Sequence, residues 1–226
     1  MQFSVVIPAL NEGATIRRAA RSAWEAGASQ VIVADGGSDD ETAELAEREN
    51  CRVALAPRGR ARQQNAGAAL ATADVLLFLH ADAALAPEVG AQLAAAFANP
   101  RVLSCAFQQR IEARGRAYRW LERANAQRVR WLGLPYGDQA LGVRREVFEQ
   151  LGGFPDVPLL EDLLLMRQLR QRSWPLLLPG PVFVSPRRWQ QQGLIRQTLS
   201  NWGILTGYAC GIPPAKLAAW YRRHDA

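Results

Sequence analysis

The run Val75-Leu-Leu-Phe-Leu-His-Ala-Asp-Ala83 carries an apolar strand straight into a carboxylate. An aspartate in the position of Asp82 can hold a divalent cation against a diphosphate. A hard cation keeps several waters and takes only one or two protein carboxylates alongside phosphate oxygens. Bound there, it would stabilise a departing diphosphate as a Lewis acid. The plainer alternative is an aspartate that ends its strand and caps the next helix. His80 is a second candidate ligand or orients Asp82, although a lone histidine at a strand end also serves as an ordinary hydrogen-bonding group. Arg60 and Arg62 stand two apart in a Gly-containing loop that opens a helix, so guanidinium and helix N–H groups can face one anion. With Arg58 they would otherwise make a solvated basic loop.

These residues need elements to position them. Residues 3–7, 30–34, 52–55 and 75–79 read as buried strands: they are rich in branched residues and lack the alternation of a half-exposed sheet. Residues 14–26, 40–49 and 60–71 suit helices between them, and Ser38 to Glu41 resembles a capping box with Ser38 or Asp39 as cap. This β-α alternation implies a parallel sheet with right-handed crossovers. Ligands bind beyond the carboxyl ends of such strands, where Asn11 and Glu12, Asp35 with Gly36 and Gly37, Arg58 to Arg62, and His80 to Asp82 fall. Further on, the pattern predicts helices over 87–99, 117–131, 145–151, 160–171 and 214–223, and strands over 102–110 and 182–184. Residues 193–209 mix bulky apolar and polar positions.

Taken in order, Ser4-Val-Val-Ile-Pro-Ala-Leu-Asn-Glu12, Val33-Ala-Asp-Gly-Gly-Ser38, Gly59-Arg-Ala-Arg-Gln-Gln-Asn65, Phe78-Leu-His-Ala-Asp82, Gly137-Asp-Gln139, Gly152-Gly-Phe154 and Glu161-Asp162 carry a resemblance. Over nearly its full length the chain resembles the family 2 glycosyltransferases. It is most similar to a small bacterial subgroup, associated with arsenosugar biosynthesis, that has His-Ala-Asp where most relatives have Asp-x-Asp. The resemblance implies a GT-A fold: α/β, with a Rossmann-like, mostly parallel central sheet flanked by helices and a C-terminal helical tail. It implies a single domain over 1–226, with a nucleotide-sugar half (1–104), an acceptor and catalytic half (105–190) and the tail (191–226).

The resemblance also implies that Pro8, Ala9, Glu12 and Asp35 line a nucleoside pocket, with Ala81 beside the donor. The Asp35 carboxylate can accept from an imide N–H or from ribose hydroxyls, or it forms an Asx turn into Gly36-Gly37. The co-substrate would be a nucleotide diphosphate sugar, UDP-linked as is commonest in the family, with Mn2+ or Mg2+ at Asp82 and His80. Displacement at an anomeric carbon needs one carboxylate to take the acceptor's proton. The resemblance gives that role to Asp162, implying inversion, with Glu161 as the catalytic neighbour that binds acceptor or exchanges roles with it. The alternative for this acidic pair is a first-turn complement to the helix dipole, worth about 0.3–1 kcal/mol. Gly137, Asp138 and Gln139 face the donor sugar or acceptor, or form a turn. Arg187, Arg188 and Trp189 close over the diphosphate, stack on a sugar face, or make a basic rim.

Composition narrows the classes. Three well-separated cysteines, Cys51, Cys105 and Cys210, match no disulfide or zinc spacing, which points to a reducing cytoplasm. No signal peptide is read at the N-terminus, and no apolar run reaches the ~18 residues of a membrane span. The net charge of +6 is uneven: residues 1–104 carry 9 Arg against 12 acidic residues, residues 105–190 carry 14 against 8. No nucleic-acid motif accompanies the basic half, so nucleic acid is not an expected partner. A dinucleotide oxidoreductase would need G-x-G-x-x-G where Asn11-Glu-Gly13 stands. A sugar-nucleotide hydrolase or a donor-binding protein without transfer is a third class, weakened by the intact Glu161-Asp162 pair. The acceptor expected alongside the nucleotide sugar is a small molecule or lipid-linked. The tail, with Trp189, Trp202 and Trp220, packs over the core or touches the inner face of a membrane.

Overall fold

Successive side chains of the first strand, β1 (Phe3–Ala9), are buried on opposite faces of a sheet. Phe3, Val5, Ile7 and Ala9 join one apolar cluster, and Val6 joins the other. Strand β4 (Val75–Phe78) divides in the same way, Val75 and Leu77 to the first cluster and Leu76 and Phe78 to the second. Helices cover both faces, which is why these strands read as continuous apolar runs. The computed structural model describes residues 1–225, apart from the side chains of residues 188, 192, 195 and 222–225.

Strands β2 (Gln30–Asp35) and β3 (Arg52–Leu55) complete a parallel half, with α1 (Ile16–Glu25), α2 (Thr42–Arg48) and α3 (Arg60–Ala69) in the connections. Ala9 pairs with Asp35, which sets the carboxyl ends of β1 and β2 side by side. The second half contains β5 (Ala83–Leu85), α4 (Val89–Phe97), β6 (Ser104–Ile111), α5 (Arg116–Leu132), a 3-10 turn (Gly137–Gln139), β7 (Leu141–Arg144), α6 (Arg145–Gln150), α7 (Glu161–Arg172) and β8 (Leu176–Val184). Helices α8 (Arg187–Gln192), α9 (Leu194–Ala209) and α10 (Pro214–Asp225) form the tail. Among the described residues the strands make one eight-stranded sheet in the order β3-β2-β1-β4-β7-β6-β8-β5. It is a central α/β sheet flanked by helices, as expected. It is parallel from β3 to β4 and mixed beyond, since β7 runs antiparallel to both β4 and β6, and β5 antiparallel to β8.

Several local expectations change. Strands β5 and β7 have no counterpart among the expected elements: Ala83-Ala-Leu85 and Leu141-Gly-Val-Arg144 carry weak strand propensity, and pairing to β8 and β4 makes them strands. Strand β8 begins six residues before the expected 182, hidden by Pro179 and Pro181, and the ladder shifts register opposite them at Phe107/Gln109. Neither Ser38 nor Asp39 caps α2: that helix starts at Thr42, whose N–H donates to Asp40 Oδ1 at 3.0 Å. Among the described residues, no helix is long and apolar enough to cross a membrane.

Candidate active site

A cavity of about 180 Å3 opens where α3, the end of β4, the 3-10 turn and α7 meet, and the tail closes its far side. Arg60, His80, Asp82, Gly137, Asp138 and Asp162 line it, opposite Trp189, Gln197, Ile204 and Tyr221. Three segments far apart in sequence thus bring a strand-end carboxylate, a guanidinium and a helix-start carboxylate to one space.

Asp162 is held on both oxygens. Its Oδ2 accepts the N–H of Gly137 at 2.6 Å and its Oδ1 accepts the N–H of Leu163 at 2.7 Å. The second is one of the N–H groups that the first turn of a helix leaves without an intrahelical partner. Leu160, just before α7, takes a left-handed φ of 69°, a conformation that costs a branched side chain energy and is tolerated where the surroundings enforce it. That turn aims the start of α7 at the cavity. Gly137 allows the close approach: a Cβ there would stand 2.6 Å from His80 Nε2 and 3.4 Å from Asp162 Oδ2.

Glu161 lies beneath this surface, 2% exposed, with Oε1 3.4 Å from Arg60 Nη1. Burial pushes its carboxyl above the ordinary glutamate range; Arg60 opposes that shift and Asp162 adds to it. Burial also works against the charge of Arg60, yet Glu161, Asp162, Tyr221 and Asp82 together hold the guanidinium more firmly protonated than usual. The result is a cationic centre among three carboxylates.

The loop bearing Gly137 and Asp138 is anchored by residues that sequence reasoning does not single out. Arg128 of α5 donates to Leu134 O, Asn125 Oδ1 and Gln139 Oε1, and stacks 3.6 Å over the Tyr136 ring. Gln109 of β6 donates to Asp138 O at 3.1 Å and accepts from Asn125. Gln139 is fully buried: its amide accepts from Arg128 and donates to Phe107 O, so it braces the loop from within. On the other side, Asn65 accepts the N–H of Phe154 and donates to its carbonyl, fastening the Gly152-Gly153-Phe154 turn to α3.

At the carboxyl ends of β1 and β2 the buried Asp35 accepts the N–H groups of Gly37 and Ser38, both at 3.0 Å, and the Ser38 hydroxyl. The Asx turn and a position beside Ala9 therefore coexist. Gln63 of α3 bridges the two strands, donating to Ala9 O at 2.6 Å and Ala34 O at 3.0 Å. Glu12 accepts from Thr15 at 2.9 Å and from Arg187 of α8 at 3.3 Å, which ties the tail to the loop after β1. Pro8, Ala9, Glu12 and Asp35 lie together at this edge, outside the lining of the cavity.

Arg62 does not join Arg60. It pairs with Asp156 at 2.8 Å on the surface, because residues two apart on a helix point in different directions. Trp189 faces the cavity and packs edge-on against Tyr118. The side chain of Arg188 is outside the described residues. For a cation, no cluster of three or more His, Cys, Asp or Glu side chains stands among the described residues. Asp82, with His80 near it, suits a hard cation only if phosphate oxygens complete its shell.

No curated protein matches the chain. Among solved structures, S. aureus TarS with UDP-GlcNAc superposes with a TM-score of 0.65 at 16% identity, over 82% of this chain and 58% of that one. S. aureus TarS 1-349 gives 0.64 at 17% identity, over 82% of this chain and 61% of its own, so the chain spans about three-fifths of these TarS chains. Mycobacterium tuberculosis glucosyl-3-phosphoglycerate synthase with Mn2+ and UDP-glucose gives 0.62 at 20% identity, over 94% of this chain and 80% of that one. These likenesses establish the GT-A fold. The sequence model described as Glycosyl transferase family 2 matches residues 4–153, about two-thirds of the chain and the part that supplies Asp35, Arg60 and Asp82, and the chain therefore belongs to that family.

Proposed function

We propose that the chain transfers a sugar from a nucleotide diphosphate sugar, UDP-linked, to an acceptor hydroxyl in one inverting displacement. The observation that carries this reading is the convergence of Asp82, Arg60 and Asp162 on one cavity. Asp162 takes the proton of the acceptor hydroxyl as that oxygen bonds to the anomeric carbon. The bond from that carbon to the diphosphate breaks in the same step, and attack from the opposite face inverts the configuration. Arg60, kept charged by its carboxylate neighbours, draws the leaving anion. Glu161 sets the position of Arg60. Asp82, with His80 as second candidate, would hold Mn2+ or Mg2+, which when bound neutralises charge on the diphosphate. The UDP-sugar complexes of TarS and the mycobacterial synthase support the donor class.

The nucleoside belongs at the β1–β2 edge beside Asp35, under the contact from Arg187 to Glu12. The acceptor, small or lipid-linked, enters through the cavity bounded by Gly137, Asp138 and Trp189. His80-Ala81-Asp82 fits the subgroup resemblance noted above, and with it an arsenosugar-related acceptor. A single domain working in the cytoplasm is part of the same reading, in keeping with three free cysteines.

Thermal denaturation with UDP, GDP and dTDP, with and without Mn2+, tests the reading. UDP with Mn2+ raises the melting temperature, and Asp82→Ala removes the metal-dependent part. Unchanged melting with every nucleotide diphosphate would overturn the donor site.

A further inference from the structure

Helix α5 ends at Leu132 on Gly133, whose φ of 62° turns the chain out of the helix. Trp174 closes over that end. Its ring would lie 3.1 Å from a Cβ at Gly133, and its Nε1 donates to Arg130 O at 3.3 Å. Arg170 of α7 donates to Leu132 O at 2.6 Å. The ends of α5, α7 and β8 are thereby locked into one face. On it Trp131 is 75% exposed, Leu132 52%, Trp174 52% and Leu176 41%. A contiguous set of exposed large apolar side chains marks an interaction surface, unlike scattered single ones.

The charges that flank these side chains along the chain are cationic: Arg130 stands next to Trp131, and Arg170 and Arg172 precede Trp174 at the end of α7. Arg123, Arg130 and Arg172 are exposed. We propose that this face, formed by the ends of α5 and α7 and the start of β8, docks peripherally on an anionic lipid surface. Tryptophan and leucine sit at headgroup depth, where the amphipathic indole is favoured. Arginine stems lie along the apolar surface while their guanidinium groups meet phosphates. The observations favour a lipid surface over a protein partner, because exposed Trp131 and Trp174 stand beside exposed Arg130 and Arg172 on a face built from the ends of elements. The outward residues of α9, Leu199 and Trp202, are on the tail, so the two surfaces can be separated by mutation.

Co-sedimentation of the whole chain with vesicles tests the proposal without reference to enzyme activity. The wild type binds vesicles of phosphatidylcholine mixed with phosphatidylglycerol, binds phosphatidylcholine vesicles far less, and loses binding as salt rises. The double variant Trp131→Ser/Trp174→Ser partitions about tenfold less, a change of ~1.4 kcal/mol. Because Trp174 also packs on Gly133, the exposed pair Arg130→Glu/Arg172→Glu is measured beside it and shows a loss of similar size. Trp202→Ser binds as the wild type does. The proposal is overturned if the wild type ignores anionic vesicles, as a face meant for a protein would. It is equally overturned if only Trp202→Ser loses binding, which would leave the tail as the contact.

Discussion

Asp162 Oδ2 accepts the backbone N–H of Gly137 at 2.6 Å, although 25 residues separate them. This contact joins the carboxylate proposed as base directly to the loop proposed to face the substrate.

Gly137→Ala tests that contact. The new Cβ would stand 2.6 Å from His80 Nε2, so the loop or the imidazole must shift. Overpacking of this kind costs about 1–3 kcal/mol, read by urea denaturation, and transfer falls at least about tenfold as Asp162 loses its donor. A variant with wild-type stability and turnover would show that the contact is dispensable.

Asp162→Asn keeps the size of the side chain and removes the proton acceptor, although its amide NH2 must face one of the two backbone N–H groups that the carboxylate accepts. Donor binding, measured by calorimetry with UDP, stays within about twofold, and turnover falls by about 10²–10⁴, the range of general-base contributions. Wild-type turnover would move the base elsewhere.

Glu161 sets a pH dependence. Its carboxyl is raised by burial in the folded state, so the native protein holds this proton more tightly than the unfolded chain. The contribution to stability is full below the unfolded value and is lost as pH rises through the folded one. Glu161→Gln should gain stability relative to wild type between acid and neutral pH. Parallel urea curves for the two proteins across that range would remove the effect.

Arg60 and Arg62 separate cleanly. Arg60 lines the cavity and Arg62 makes an exposed pair with Asp156. Arg60→Ala weakens UDP binding about tenfold or more, since a charge-assisted contact to phosphate is lost. Arg62→Ala leaves it unchanged and alters stability by under ~1 kcal/mol. Equal losses from both would place the diphosphate on the surface of α3 instead.

Asn65→Ala removes two hydrogen bonds to Phe154 and leaves its N–H and carbonyl short of partners. The expected cost is about 1–3 kcal/mol, with a smaller change in UDP binding because the turn it holds is not part of the cavity lining. A larger effect on binding than on stability would reassign Asn65 to the ligand.

Much of the first half of the chain is legible in the amino-acid sequence. Four apolar runs separated by helical patterns force a parallel sheet, and that topology alone brings the ends carrying Glu12, Asp35, Arg60 and Asp82 to one edge. Less is legible from Ser104 onward. Leu141-Gly-Val-Arg144 becomes a strand only through pairing with β4 and β6. Arg128 could not be told from Arg123 or Arg130, since nothing local distinguishes the arginine of α5 that turns inward onto Tyr136.

The order of the first four strands and helices and the residue types at the strand ends are written in the linear chain, because they follow from periodicity and local chemistry; the family is written there too, in the order and spacing of its motifs. Which of those groups meet is settled in three dimensions. Helical rotation points Arg60 and Arg62 apart, close packing turns Gln139 inward, and the fold of the second half sets Asp162 against Gly137. Such contacts depend on directions and distances between elements, and a linear spacing of residues does not contain them.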